Sequence, residues 1–154
     1  MHIKLYTDGS SRGNPGPGGY GAILMTDQNH YKEIYGGYRL TTNNRMELLA
    51  VIEGLKAVKN KSLPITVYSD SKYVVDAISK GWLAKWINTQ FAGGKKNKDL
   101  WLAYHELSLK LKINFVWVKG HAENHYNNRC DELATTAAVG KNLLIDNGYE
   151  EGLK

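Results

Sequence analysis

The chain is 154 residues long, 42% apolar and 10% aromatic, with 20 Lys and Arg against 15 Asp and Glu for a net charge of +5. A chain of this length buries roughly 70% of its unfolded surface and needs no staple for its core; the single cysteine, Cys130, excludes a disulfide scaffold and every multi-Cys zinc pattern. No apolar run reaches the roughly 18–20 residues that span a bilayer, and Met1-His2-Ile3-Lys4 lacks a signal-peptide core, so the cytoplasm is the expected compartment.

Residues 2–7 alternate in polarity like a strand and run into Asp8-Gly9. From Gly9 to Gly19 the chain holds five glycines and two of its three prolines, which predicts a wide turn. Tyr20 to Thr26 and Tyr31 to Leu40 read as two further strands, so the first forty residues form an antiparallel meander. The apolar period then changes to 3.6: Leu48, Val51, Ile52, Leu55 and Val58 share one stripe behind the cap residues Thr42-Asn43-Asn44, predicting a helix over 44–60. Ile65 to Asp70 is a short strand, followed by a helix through Ser79, a break at Gly81, and a Trp/Lys segment with a flexible Ala92-Gly93-Gly94. Asp99 to Leu111 is helical, Ile113 to Val118 a last strand, 119–126 a polar loop, and Cys130, Leu133, Ala134, Ala137 and Ala138 the seam of a last helix. A meander followed by strand-helix units implies an α/β fold with a mixed sheet, the late strands parallel to the first and helices on the faces. Ligand sites in such sheets lie beyond the carboxyl ends of the parallel strands.

Charge is concentrated. Lys80 to Lys119 carries eight lysines against Asp99 and Glu106, a local +6, interleaved with Trp82, Trp86, Phe91 and Trp101, while the rest of the chain sums to about −1. Such a segment suits a polyanion, although a solvated lysine-rich helix has the same composition.

Four acids stand out. Asp8 closes the first strand and Asp70 the fourth, so parallel neighbours would bring the two carboxylates to one sheet edge, where they repel unless a cation or proton lies between them. Glu47 flanks the apolar stripe of the long helix, and Asp131 adjoins the seam residue Cys130. Each also has a local explanation: Asp8-Gly9 as a turn, Asp70-Ser71 as a helix cap, Asn44-Arg45-Met46-Glu47 as a capping box, and Asn128 as a cap with Asp131 three residues on. Together, oxygen ligands without cysteine suit Mg²⁺ or Mn²⁺, and a pair of such ions suits in-line phosphodiester cleavage. His121, in the loop before the last helix, is a candidate proton carrier, or an ordinary loop histidine like His125. Gly16-Pro17-Gly18-Gly19-Tyr20-Gly21 matches the dinucleotide fingerprint letter for letter but leads into a strand, which is the wrong context.

Six segments now combine: Tyr6-Thr7-Asp8-Gly9-Ser10, Gly13-Asn14-Pro15-Gly16-Pro17-Gly18-Gly19-Tyr20-Gly21, Thr41-Thr42-Asn43-Asn44-Arg45-Met46-Glu47, Ser69-Asp70-Ser71-Lys72-Tyr73-Val74, Trp117-Val118-Lys119-Gly120-His121-Ala122 and Arg129-Cys130-Asp131-Glu132-Leu133-Ala134. In order and spacing the sequence resembles bacterial type 1 ribonuclease H from end to end, as a single catalytic domain over 1–154. The resemblance implies a five-stranded mixed sheet and an endonuclease that cuts the RNA strand of RNA–DNA hybrids, leaving 5′-phosphate and 3′-hydroxyl ends. It implies that Asp8, Glu47, Asp70 and Asp131 hold two Mg²⁺ ions, with Mn²⁺ as a substitute, and that His121 assists proton transfer or product release. Asn14, Asn43 and Asn44 match minor-groove contacts, where RNA displays its 2′-hydroxyls. Thr42 and Asn97 match a pocket for a DNA-strand phosphate, and Trp82, Trp86, Lys95, Lys96 and Lys98 the basic protrusion. The chain departs from that pattern in a shorter, less basic protrusion, in a loop Ala122-Glu123-Asn124-His125-Tyr126 without the usual Gly-His-Pro, and in Lys72 where a glutamine commonly reads the hybrid. A monomer is expected. A nuclease of related fold with another substrate, such as a junction resolvase or exonuclease, and a non-catalytic nucleic-acid-binding module are the competing readings.

Overall fold

A computed structural model describes residues 2–119 and 124–153. Three strands form the meander, β1 (Ile3–Ser11), β2 (Gly16–Thr26) and β3 (Tyr31–Thr41), and helix α1 (Asn43–Lys56) follows. Then come β4 (Pro64–Ser69), α2 (Lys72–Ser79), α3 (Trp82–Asn88), α4 (Lys98–Ser108), β5 (Lys112–Trp117), α5 (His125–Ala138) and the short α6 (Asn147–Glu151). The five strands lie in the order β3-β2-β1-β4-β5, antiparallel across the meander and parallel from β1 through β4 to β5. This is the expected mixed α/β sheet. Among the described residues no helix is long and apolar enough to cross a membrane.

The period-two alternation of β1 and β2 divides the interior in two. Leu5 and Ala22 join Leu48, Ile52, Val67, Trp101 and Tyr104 on the face covered by α1 and α4, while Tyr6 and Ile23 meet Cys130 and Leu133 of α5 on the other.

The glycine-rich segment is where structure departs most from expectation. The predicted wide turn over 9–19 is largely strand: β1 continues to Ser11 and β2 starts at Gly16. Gly13, at φ +80°, lies in the short turn that remains, while Gly9, Gly19 and Gly21 serve close approach rather than turning. A Cβ on Gly21 would stand 2.4 Å from the Cys130 carbonyl oxygen, one on Gly19 2.3 Å from that of Ala134, and one on Gly9 2.3 Å from the Glu47 amide nitrogen. The bare backbone lets α5 settle on β2 and the first turns of α1 on β1. Gly21→Ala should therefore push α5 off the sheet and cost roughly 2–3 kcal/mol, measurable as a lower thermal midpoint.

Helix boundaries also shift. Helix α1 ends at Lys56 rather than residue 60, because two tight turns, Ala57 N–H to Gly54 O and Val58 N–H to Leu55 O, wind the chain down and tuck Val58 into the core. The dinucleotide-like run, residues 16–21, lies within β2 and opens no helix.

Candidate active site

The parallel register brings the acids together. Tyr6 pairs with Tyr68, so two residues further along each strand Asp8 and Asp70 stand side by side at the carboxyl edge of β1 and β4. Asp8 does not close its strand as expected; it lies inside β1, paired across β2 with Gly21. Glu47, on α1, reaches the same point because Gly9 lets the helix press onto β1. One carboxylate oxygen each from Asp8, Glu47 and Asp70 lies within 4.8 Å of the others. Asp131, from the middle of α5, lines the same cleft of about 470 Å³ without joining the tight trio.

The local explanations for these acids fail one by one. Helix α1 is capped by Thr42, whose hydroxyl accepts from Arg45 N–H at 3.2 Å, so Glu47 lies beyond the capping position. Ser71, not Asp70, caps α2 by accepting from Val74 N–H at 3.2 Å. Asn124, not Asn128, caps α5 through the amides of Tyr126 and Asn127, leaving Asp131 mid-helix. Asp8 does accept from the following Gly9 N–H at 3.0 Å, but within a strand.

Burial, followed by the nearby charge of Asp70, pushes the Asp8 carboxyl from 3.8 up to about 8. Burial first, then the charges of Asp8 and Asp70, raises Glu47 well above the ordinary carboxylate range. Carboxylates held close together against their own repulsion, with no sulfur or imidazole among the three, fit a hard divalent cation that supplies the missing positive charge.

Because folding raises these two pKa values, the contribution of this pair to stability without metal is greatest below about pH 4 and is lost as pH rises toward 8. Asp8→Asn should remove much of that slope and gain about 2 kcal/mol at pH 8 in EDTA, or about 6 °C in thermal midpoint. Thermal unfolding at pH 5 and pH 8 checks it; a pH-independent wild type would contradict the charge repulsion.

The carboxylate cleft adjoins a larger one. Asn44 lines both, and the second, a cavity of about 990 Å³, is lined by Asn14, Thr42, Lys95, Lys96, Asn97 and Lys98 among others. Asn43 binds the glycine-rich segment to α1: its N–H donates to the Asn14 side-chain oxygen at 3.1 Å, and its own Oδ1 accepts from the Ser11 hydroxyl at 3.0 Å. Trp82 is exposed, with the Lys80 ammonium 5.5 Å from its ring centroid. Trp86 instead packs edge-on against buried Trp101 at 5.9 Å, with the Lys95 ammonium 5.8 Å from its own ring centroid, so it is as much a core residue as a surface one. Lys72 lines the carboxylate cleft. His121 lies outside the described residues.

Arg45 is a buried charge beside the second cleft that the motifs of the sequence do not single out. It is 3% exposed, and its guanidinium holds Asp146 at 2.8 Å and Asp99 at 2.6 Å while Nη1 donates to the Asn97 side-chain oxygen at 3.3 Å. Burial opposes its charge, but the hydrogen bonds it donates to the two carboxylates outweigh that and raise its pKa. The Asn97 amide is held from its other side too, donating to the Tyr73 hydroxyl at 3.0 Å. A signal existed: Arg45 stands one turn before Leu48 and two before Ile52, on the buried face of α1, where a charge demands a partner.

Comparison with known proteins agrees with this geometry. The family model described as RNase H matches residues 1–139. A ribonuclease H of Syntrophus aciditrophicus is 50% identical over 151 residues, covering 96% of this chain and 86% of that protein. Among solved structures, LC9-RNase H1, a type 1 RNase H with the type 2 active-site motif, superposes with a TM-score of 0.80 at 30% identity, over 98% of this chain and 80% of its own. The N-terminal RNase H domain of rv2228c from Mycobacterium tuberculosis gives 0.71 at 32%, over 90% and 99%.

Proposed function

The chain belongs to the RNase H family, and on that footing we propose that it is an endonuclease hydrolysing the RNA strand of RNA–DNA hybrids, leaving 5′-phosphate and 3′-hydroxyl ends. The observation that carries this reading is the convergence of Asp8, Glu47 and Asp70 within 4.8 Å, with Asp131 in the same cleft. Those four acids would hold two Mg²⁺ ions, replaceable by Mn²⁺. Bound there, the ions would supply activation of the water nucleophile and charge stabilisation at the leaving oxygen.

The chain's other residues bind and orient. Asn14, Asn43 and Asn44 would meet the 2′-hydroxyls of the RNA strand, the group by which RNA differs from DNA. Thr42 accepts from Arg45 N–H and so keeps its hydroxyl proton for a DNA-strand phosphate, beside the fixed amide of Asn97. Lys95, Lys96 and Lys98, with exposed Trp82 and half-buried Trp86, give the far side of the groove its affinity for the polyanion. His121 would assist proton transfer or product release. The reading further holds that the protein is a cytoplasmic monomer whose residues 1–154 form one catalytic domain.

The test offers labelled RNA–DNA hybrid, duplex DNA and duplex RNA with and without Mg²⁺. Cleavage of the hybrid alone, only with Mg²⁺, is expected. Cleavage of duplex DNA with the hybrid left whole would place the chain with resolvases or exonucleases, and binding without cutting would make it a binding module.

A further inference from the structure

Lys72 is an odd residue for its position. It opens α2, where the unpaired amides and the positive end of the helix dipole disfavour a cation. It also lines a cleft with four carboxylates, the nearest strong attraction for an ammonium. Its Nζ nevertheless stands 4.0 Å from the ring centroid of Trp117. That indole is anchored in turn. Trp117 is the last residue of β5 and pairs with Ser69, and its Nε1–H donates to the main-chain oxygen of Asp70 at 3.2 Å. It is 39% exposed, so one edge of the platform meets solvent.

From this arrangement we infer that Trp117 is a positioning residue: its ring stations the Lys72 ammonium at the rim of the carboxylate cleft, as a ligand for a substrate backbone phosphate and out of the cation site. The inference rests on the nuclease reading above and deepens it. An aromatic face attracts an ammonium without removing any of its three donors. The side of the ammonium away from the ring stays open for an anion. Without the ring, the four-carbon stem is free to swing, and the carboxylates become the strongest local partner. Lys72 would then neutralise part of the cluster and compete with a divalent cation for it. The ring therefore separates two roles that lie side by side, cation binding by the acids and phosphate binding by the lysine.

Three variants and their combination test this. Trp117→Leu removes the aromatic face, Trp117→Phe keeps a face but loses the indole N–H, and Lys72→Gln removes the charge. Two readouts need no turnover: the Mg²⁺ concentration at half-maximal thermal shift, and the salt dependence of hybrid affinity by anisotropy in EDTA. Trp117→Leu should raise the Mg²⁺ midpoint about threefold and reduce the slope of log affinity against log salt by about one, as for a lost phosphate contact. Lys72→Gln should lose the same slope without raising the Mg²⁺ midpoint. Combining Lys72→Gln with Trp117→Leu should return the midpoint to the wild-type value, since no ammonium is left to compete. Trp117→Phe should keep the wild-type slope. In cleavage assays Trp117→Leu should raise KM about fivefold at saturating Mg²⁺ with little change in kcat.

A Trp117→Leu midpoint and slope equal to wild type would overturn the inference, as would a double variant no better than Trp117→Leu or a Trp117→Phe slope as low as that of Trp117→Leu. Should Trp117→Leu fail to fold, an unchanged salt slope in Lys72→Gln overturns it alone. If the wild type binds Mg²⁺ and hybrid but cuts nothing, the nuclease reading fails while both binding readouts still decide on Trp117.

Discussion

Asp70→Asn is expected to lower hybrid cleavage by about three orders of magnitude or more while leaving hybrid affinity within a few-fold of wild type. The substitution keeps the shape of the side chain and removes one of the three charges clustered within 4.8 Å. The backbone there is secured independently, since Trp117 donates to the Asp70 carbonyl oxygen and Val118 N–H to that of Ser69 at 2.9 Å. The lysines and amides to which the proposed function assigns affinity line the neighbouring groove instead. Single-turnover cleavage in Mg²⁺ and anisotropy in EDTA separate the two effects; near-normal turnover would refute the role of the cluster in catalysis.

The largest loss of stability from one side chain is expected at Arg45. Arg45→Met leaves the Asp146 carboxylate buried, with the Thr41 hydroxyl at 2.7 Å and the Tyr149 amide at 3.3 Å but no counter-charge. Breaking a buried pair in this way costs about 3–5 kcal/mol, or about 10 °C in thermal midpoint here. Asp99→Asn should cost much less, because the Asp99 side chain is 47% exposed and water can solvate what remains. The pH dependence has the opposite sign to that of the active-site acids. Burial favours the neutral acid, but Arg45 outweighs it and holds the Asp99 carboxyl below its ordinary 3.8, so this contribution is present above about pH 4 and lost as pH falls. Arg45→Met should remove that acid-side loss. Functionally it should also raise KM, since Asn97 loses the bond that sets its amide. Thermal melts from pH 3 to 8 with hybrid titrations check both parts.

The elements were legible in the sequence because their signals are local. Alternation in residues 2–7, the stripe from Leu48 to Val58 and the turn residues Asp27 to His30 each report on neighbours along the chain. The glycine-rich segment misled for the same reason. Gly19 looks like a turn residue until α5, more than a hundred positions away, is seen pressed against it. Of the caps, Thr42 stands among the residues the sequence offers, whereas Asn128 is a sound choice by type and Asn124 caps α5 instead.

The candidate acids show the same division. Strand ends marked Asp8 and Asp70, but either was equally readable as a turn or a cap. What removed the ambiguity was register, Tyr6 against Tyr68, together with the approach of α1 over Gly9. Arg45 and Trp117 were hidden more deeply, because a buried arginine is explained only by Asp99 and Asp146, and an exposed tryptophan only by the ammonium above it and the carbonyl beside it.

By itself, then, the sequence determined the mixed α/β class, the order of the strands and helices, the +6 segment and, through its six linked motifs, the family. It could do so because periodicity, capping chemistry and charge are properties of short stretches of chain. Only the tertiary structure decided that three acids share one point, that Gly9, Gly19 and Gly21 are sites of helix contact, and that Lys72 lines the cleft beside that point. Those are distances between residues remote in sequence, and they are set by register and by how closely two backbones can pack.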